Sequence, residues 1–201
     1  MSIIKELERW EISKDPHRAK HVNKFALKIY SMDNRKRGEF FEFYTIEQMK
    51  GIKQIETVCK YCGSKYFKMT NNNAQPDIAF TTTENPEKPI LAEVKSVREK
   101  TTGSYEITRL SIDGYKYLII HMICPRGGLF TFSMKESDIF NYNVKYVEAW
   151  DKWSFKIPSV KWMQQQKNII YENYDCIIEN EGLNNFADSE RILPFINKLY
   201  A

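Results

Sequence analysis

The chain has 201 residues, 42% of them hydrophobic and 28% charged, with a formal net charge of +4. That length buries a real core within the size of one domain, and the composition excludes a disordered or fibrous protein. No apolar run approaches the roughly eighteen residues of a membrane span, which excludes a transmembrane helix.

The sequence opens without a charged-then-apolar leader, so the expectation is a cytoplasmic protein with no membrane partner. Four cysteines in such a chain argue against a disulfide framework. The positive balance permits an acidic partner without requiring one.

In chain order, Asp15-Pro16 is a helix start, with Asp as N-cap and Pro at the first helical position. Ala19, Val22, Phe25, Ala26 and Ile29 follow at helical spacing. A second helix is predicted over residues 36–50, ending at Gly51. From Gln54 the rhythm turns to strand alternation, interrupted by the Cys59–Gly63 segment and an Asn71-Asn72-Asn73 loop. Two runs, 77–83 and 89–96, flank a connector with Asn85 and Pro86, which reads as a hairpin. Residues 115–124 make a third core strand, and 129–133 a fourth after a turn at 125–128. From residue 135 the pattern is mixed, until Asp188-Ser189 opens a last helix. The expected fold is α/β: a mixed central β-sheet flanked by helices.

If the hairpin folds about Asn85, Asp77 faces Glu93 across the ladder, with Cα atoms about 4.5–5.5 Å apart. Glu93 and Lys95, two apart on one strand, leave the same face. Two carboxylates and an ammonium therefore converge, while Ala92 and Val94 face the core. Close carboxylates repel unless a cation sits between them, and hard oxygen donors of this kind suit Mg²⁺. Such an ion polarises a phosphodiester and activates water. Lys95 would orient or help deprotonate that water and offset charge at phosphorus.

Pro76-Asp77, a fifteen-residue spacer and Glu93-Val94-Lys95 resemble the signature of the PD-(D/E)XK nuclease superfamily. That group includes type II restriction endonucleases and archaeal-type Holliday junction resolvases. Gly38-Glu39-Phe40-Phe41-Glu42 is similar to the Gly-x-x-x-Glu element on the first core helix of many members. There the Glu assists the metal site, which makes Glu42 a catalytic candidate, with Glu39 as the other choice on that face. Residues 107–113 and the apolar strand after them are similar to the short helix and core strand that follow the active site in restriction enzymes.

The resemblance implies a restriction-endonuclease-like core and one nuclease domain over residues 1–201, with the catalytic core at 36–133. Residues 1–35 and 134–201 would be elaborations for dimerisation and DNA recognition. Also implied are Mg²⁺ as cofactor and a homodimer acting on double-stranded DNA. The activity would be that of a type II site-specific deoxyribonuclease leaving 5′-phosphate and 3′-hydroxyl ends. Asp77 and Glu93 would hold the metal, with Lys95 and Glu42 completing the catalytic set. The alternatives are a structure-specific nuclease such as a junction resolvase, or a non-catalytic nucleic-acid-binding module.

Arg98, Lys100, Thr101, Thr102, Ser104 and Arg109 follow the catalytic strand and are the candidate DNA contacts, being of the usual phosphate-donor types. The basic run Arg35-Lys36-Arg37 lies near the proposed active-site helix. Trp150, Trp153 and Trp162, amid lysines, either stack on bases or pack a core or dimer interface. Cys59 and Cys62 have the spacing of half a zinc site but no second such pair. His121 and Cys124, three apart on a strand, point to opposite faces and do not complete it, so a tight turn with reduced thiols is expected. His17 and His21 share a helix face.

Overall fold

The computed structural model describes residues 24–61, 76–124 and 128–183. The helix start at Asp15-Pro16, the His17/His21 pair, Cys62, the Asn71–Asn73 loop, the 125–127 turn and the helix from Asp188 lie outside them.

Helix α1 (Lys24–Ser31) leads into α2 (Asn34–Lys50). The predicted helix over 36–50 is there, and it starts two residues earlier. Asp33 is the N-cap, its carboxylate accepting from the Lys36 N–H at 2.9 Å, and Gly51 closes the other end as expected. Phe41, Tyr44, Thr45 and Met49 form the buried stripe of α2 at helical spacing.

Strands β1 (Ile55–Lys60), β2 (Ile78–Thr82), β3 (Ile90–Arg98), β5 (Tyr117–Cys124), β6 (Gly128–Lys135) and β9 (Tyr171–Glu172) form a mixed six-stranded sheet in the order β1-β2-β3-β5-β6-β9. Only β3 and β5 run parallel among these pairs. The β2–β3 hairpin has the expected register, with Ile78 opposite Ala92 and Phe80 opposite Ile90. A slip of one residue would turn those four apolar side chains away from the helices, so the register is fixed by burial.

A second sheet of three strands, β4 (Tyr105–Leu110), β8 (Lys152–Ile157) and β7 (Val144–Val147), covers the opposite face. The expected short helix within 107–113 is therefore a correction: Ile107 and Leu110 belong to β4. Arg109 adopts a left-handed conformation (φ 58°), and the β4–β8 register shifts between Ile107 and Leu110. That bulge turns Ile107 and Leu110 both inward, which reproduces the i, i+3 spacing of a helix inside a strand.

Two cores result. Ile29, Phe41, Met49, Ile78, Ala92, Val94, Ile119 and Ile177 pack between the central sheet and the helices, which include α4 (Asp175–Asn180). Ile107, Leu110, Leu118, Ile120, Met122, Phe132, Phe155 and Ile157 pack between the two sheets. Trp153 and Trp162 lie against this second core, so they are packing residues. Trp162 belongs to α3 (Val160–Gln165), whose N-cap is Ser159. Trp150 is separate and 42% exposed. Among the described residues no helix is long and apolar enough to cross a membrane.

One polar group is built into the helix-side core. His121 is fully buried, stacked on Phe41 at 4.7 Å, with Nε2 2.8 Å from Thr45 Oγ1 and Nδ1 3.0 Å from Thr131 Oγ1. Burial pushes it down to about 3 from its ordinary 6.5. An unfolded His121 takes up a proton below pH 6.5 and the folded one does not, so acid favours unfolding by about 1.4 kcal/mol per pH unit below that point. Urea unfolding at pH 7 and pH 5 should therefore show the wild type losing about 2 kcal/mol more stability than His121→Asn over that interval. Equal pH dependence of the two proteins would contradict this account.

Candidate active site

The hairpin brings Asp77, Glu93 and Lys95 to one place. Asp77 directly precedes β2; its N–H donates to Ala92 O at 3.2 Å, and its carbonyl accepts from the Tyr61 N–H at 2.9 Å. Its side chain turns toward β3, where Oδ2 accepts from the Val94 N–H at 2.8 Å. Lys95 Nζ donates to Glu93 Oε1 and lies 3.9 Å from Asp77 Oδ2. Ala92 and Val94, alternating with these residues, are buried in the helix-side core as expected. One strand thus has a packed face and a charged one.

Glu42 approaches from α2, ion-paired to Lys60 Nζ at 2.6 Å. Its charge acts on both Asp77 and Glu93. Glu39 instead pairs with Arg35 on the solvent side of α2. Of the two candidates on this helix, Glu42 is the one next to the hairpin.

The electrostatics are those of carboxylates held against their preference. Burial, then Asp77 and Glu42, push Glu93 up to about 7 although Lys95 pulls the other way. Asp77 is also raised, by burial first, against the pull of Lys95 and the Val94 N–H. Burial pulls the Lys95 ammonium down, but Glu93, Asp77 and Glu42 outweigh it, so Lys95 ends above its ordinary value. Lys95 is a bound cation balancing the two carboxylates.

These residues open on a cleft of about 1050 Å³ lined in part by Glu42, Asp77 and Lys95. Glu93, 7% exposed, is not among the lining residues and meets the cleft through Lys95. Of the candidate DNA contacts, Arg98, Lys100, Thr101 and Arg109 line this cleft, while Thr102 and Ser104 do not. Thr102 and Ser104 bond each other at 2.7 Å. Lys100 is paired with Glu106, whose other oxygen accepts from Ser154 Oγ at 2.7 Å. Trp150 also lines the cleft, and the Arg109 guanidinium lies 5.8 Å from its ring centroid. That leaves Trp150 as the one tryptophan of the three candidates placed to meet a ligand.

The donor set fits Mg²⁺ in chemistry: Asp77 and Glu93 are hard oxygen donors whose mutual repulsion a divalent cation relieves. Among the described residues no three His, Cys, Asp or Glu side chains are grouped closely enough to hold an ion by themselves. An ion here would rest on two carboxylates and complete its shell with water and phosphate oxygens, as Mg²⁺ commonly does. Among the described residues zinc has no such set either: Cys59 is exposed, and His121 is closed in by Thr45 and Thr131.

Compared with known proteins, the chain matches no family model, no curated protein and no solved structure.

Sequence reasoning placed Arg37 only within a basic run near the active-site helix and did not single out Asn34. Both line the cleft, near the start of α2. Arg37 had a legible signal: it lies four and seven residues before Phe41 and Tyr44, on the stripe that α2 buries.

Proposed function

We propose that this protein is a Mg²⁺-dependent endonuclease that hydrolyses phosphodiester bonds of double-stranded DNA. The observation that carries the reading is the hairpin register, which sets buried Glu93, half-buried Asp77 and a bound ammonium at a cleft with several cationic side chains. A structural ion pair requires one carboxylate for one lysine; here Glu93, Asp77 and Glu42 share the field of Lys95 and Lys60. A surplus of partly buried negative charge beside a cleft lined by Arg37, Arg98 and Arg109 is what a divalent ion and a phosphodiester together would neutralise.

Asp77 and Glu93 are the residues to hold the ion, and the Val94 N–H fixes the orientation of Asp77. Bound Mg²⁺ would supply polarisation of the phosphodiester and a lowered pKa for the attacking water. Lys95, which lines the cleft beside Glu93 and Asp77, would orient water there and offset charge on the phosphoryl oxygens. Glu42, steadied by Lys60, adds a third acidic group from the other layer. Arg98, Lys100, Thr101 and Arg109 are placed to meet the DNA backbone. Sequence specificity and a homodimer, as in type II restriction endonucleases, belong to this reading through the motif resemblance.

The test is cleavage mapping: phage DNA, supercoiled plasmid and a four-way junction are each incubated with the protein and Mg²⁺. Discrete fragments from phage DNA are the expected result. Cutting confined to the junction would replace sequence specificity with structure specificity. Binding without cutting of any substrate would make the chain a nucleic-acid-binding module.

A further inference from the structure

Arg37 is 5% exposed, and among the described residues no carboxylate is ion-paired to it, an unusual state for a buried arginine. Of its five N–H donors two are used, Nη1 to Met32 O at 3.1 Å and Nη2 to Asn34 Oδ1 at 2.7 Å. Its Nε is buried and, among the described residues, has no hydrogen-bond partner. Arg98, from the end of β3, lines the same cleft and donates Nη1 to Tyr30 O at 2.8 Å, its guanidinium 5.4 Å from the Tyr30 ring centroid. The two guanidiniums thus hang from carbonyls two residues apart at the end of α1. Among the described residues neither has an ion-paired carboxylate.

The Asp33 carboxylate acts on Arg37 from further off, being engaged with the Lys36 N–H. Burial, and after it the charge of Arg98, push the Arg37 guanidinium below its ordinary value. Two cations that repel each other, one of them buried with an unused donor, are stable neighbours when an anion completes them. The same cleft contains Asp77 and Lys95.

We infer that Arg37 and Arg98 together bind one phosphate of the nucleic-acid backbone beside the Asp77–Glu93–Lys95 centre, Arg37 acting as a positioning residue. The inference rests on the nuclease reading for its ligand, but its chemistry is that of a planar donor pair meeting phosphate oxygens. A purely structural role, capping the carbonyls of α1, would predict lost stability and nothing else.

The test is the salt dependence of duplex DNA binding in EDTA, read by fluorescence anisotropy for the wild type, Arg37→Gln and Arg98→Gln. Each variant should bind roughly tenfold more weakly and show a salt slope shallower by up to about 0.9, the value of one phosphate contact. Because the two side chains share a phosphate, the double variant should lose less than the sum of the single losses. Unchanged slopes in folded variants, or no DNA binding by the wild type, would overturn the inference. Should Arg37→Gln not fold, Arg98→Gln carries the same readout. Shallower slopes with no Mg²⁺-dependent cleavage would keep the phosphate pair and remove the nuclease reading. Cleavage with unchanged slopes would do the reverse.

Discussion

Lys95→Ala is expected to lower Mg²⁺-dependent DNA cleavage by at least about 10²–10³-fold, the usual loss when a single preorganised charge at a reacting centre is removed. The same change removes the ion-pair partner of Glu93 and the nearest cation to Asp77. Leaving two carboxylates with less compensation should also cost about 2–3 kcal/mol of stability in the ion-free protein. The two losses are separable. Adding Glu93→Gln to Lys95→Ala should restore much of the stability and none of the cleavage. Single-turnover cleavage and thermal unfolding of the three proteins check this. A double variant that recovers activity would show that Lys95 had only a structural role.

Glu93→Gln alone should abolish cleavage while making the ion-free protein more stable above neutral pH. The folded Glu93 titrates at about 7 against an ordinary 4.5. A raised carboxylate destabilises the folded state when it is charged, and that penalty fades as pH falls from 7 toward 4.5. The variant should therefore exceed the wild type by about 1–3 kcal/mol at pH 8 in EDTA, and the gain should vanish below about pH 4.5. Added Mg²⁺ should stabilise the wild type by mass action and leave the variant unchanged. A variant that is less stable than the wild type at pH 8 without metal would contradict the idea that this carboxylate is held for function.

Much of this was legible in the sequence. The hairpin register followed from a turn centred on Asn85, which sets Asp77 opposite Glu93, and Ile78, Phe80, Ile90 and Ala92 take the core face in that register. The end of α2 at Gly51 was equally direct. What escaped reading depended on tertiary context. The bulge at Arg109 disguised β4 as a helix, because it let Ile107 and Leu110 both turn inward. The second sheet had a signal in the alternation of Trp153, Phe155 and Ile157, but its pairing partner is β4, so misreading one concealed the other.

Arg37 was hidden by its neighbours. Within Arg35-Lys36-Arg37 a basic run suggests a solvated face, yet only Arg37 lies on the stripe with Phe41 and Tyr44. Its burial depends on carbonyls at the end of α1, which no local pattern encodes. Glu42 and Glu39 could be separated only once the stripe had a direction: Glu42 lies at its margin, and Glu39 is turned to solvent with Arg35.

The most direct test of the central claim is single-turnover cleavage of end-labelled duplex DNA by the wild type and Asp77→Asn, with Mg²⁺ or with EDTA. The account predicts cutting by the wild type in Mg²⁺ alone and none by the variant under either condition. Cleavage that persists in EDTA, or that Asp77→Asn retains, would contradict a metal-dependent centre built on this hairpin.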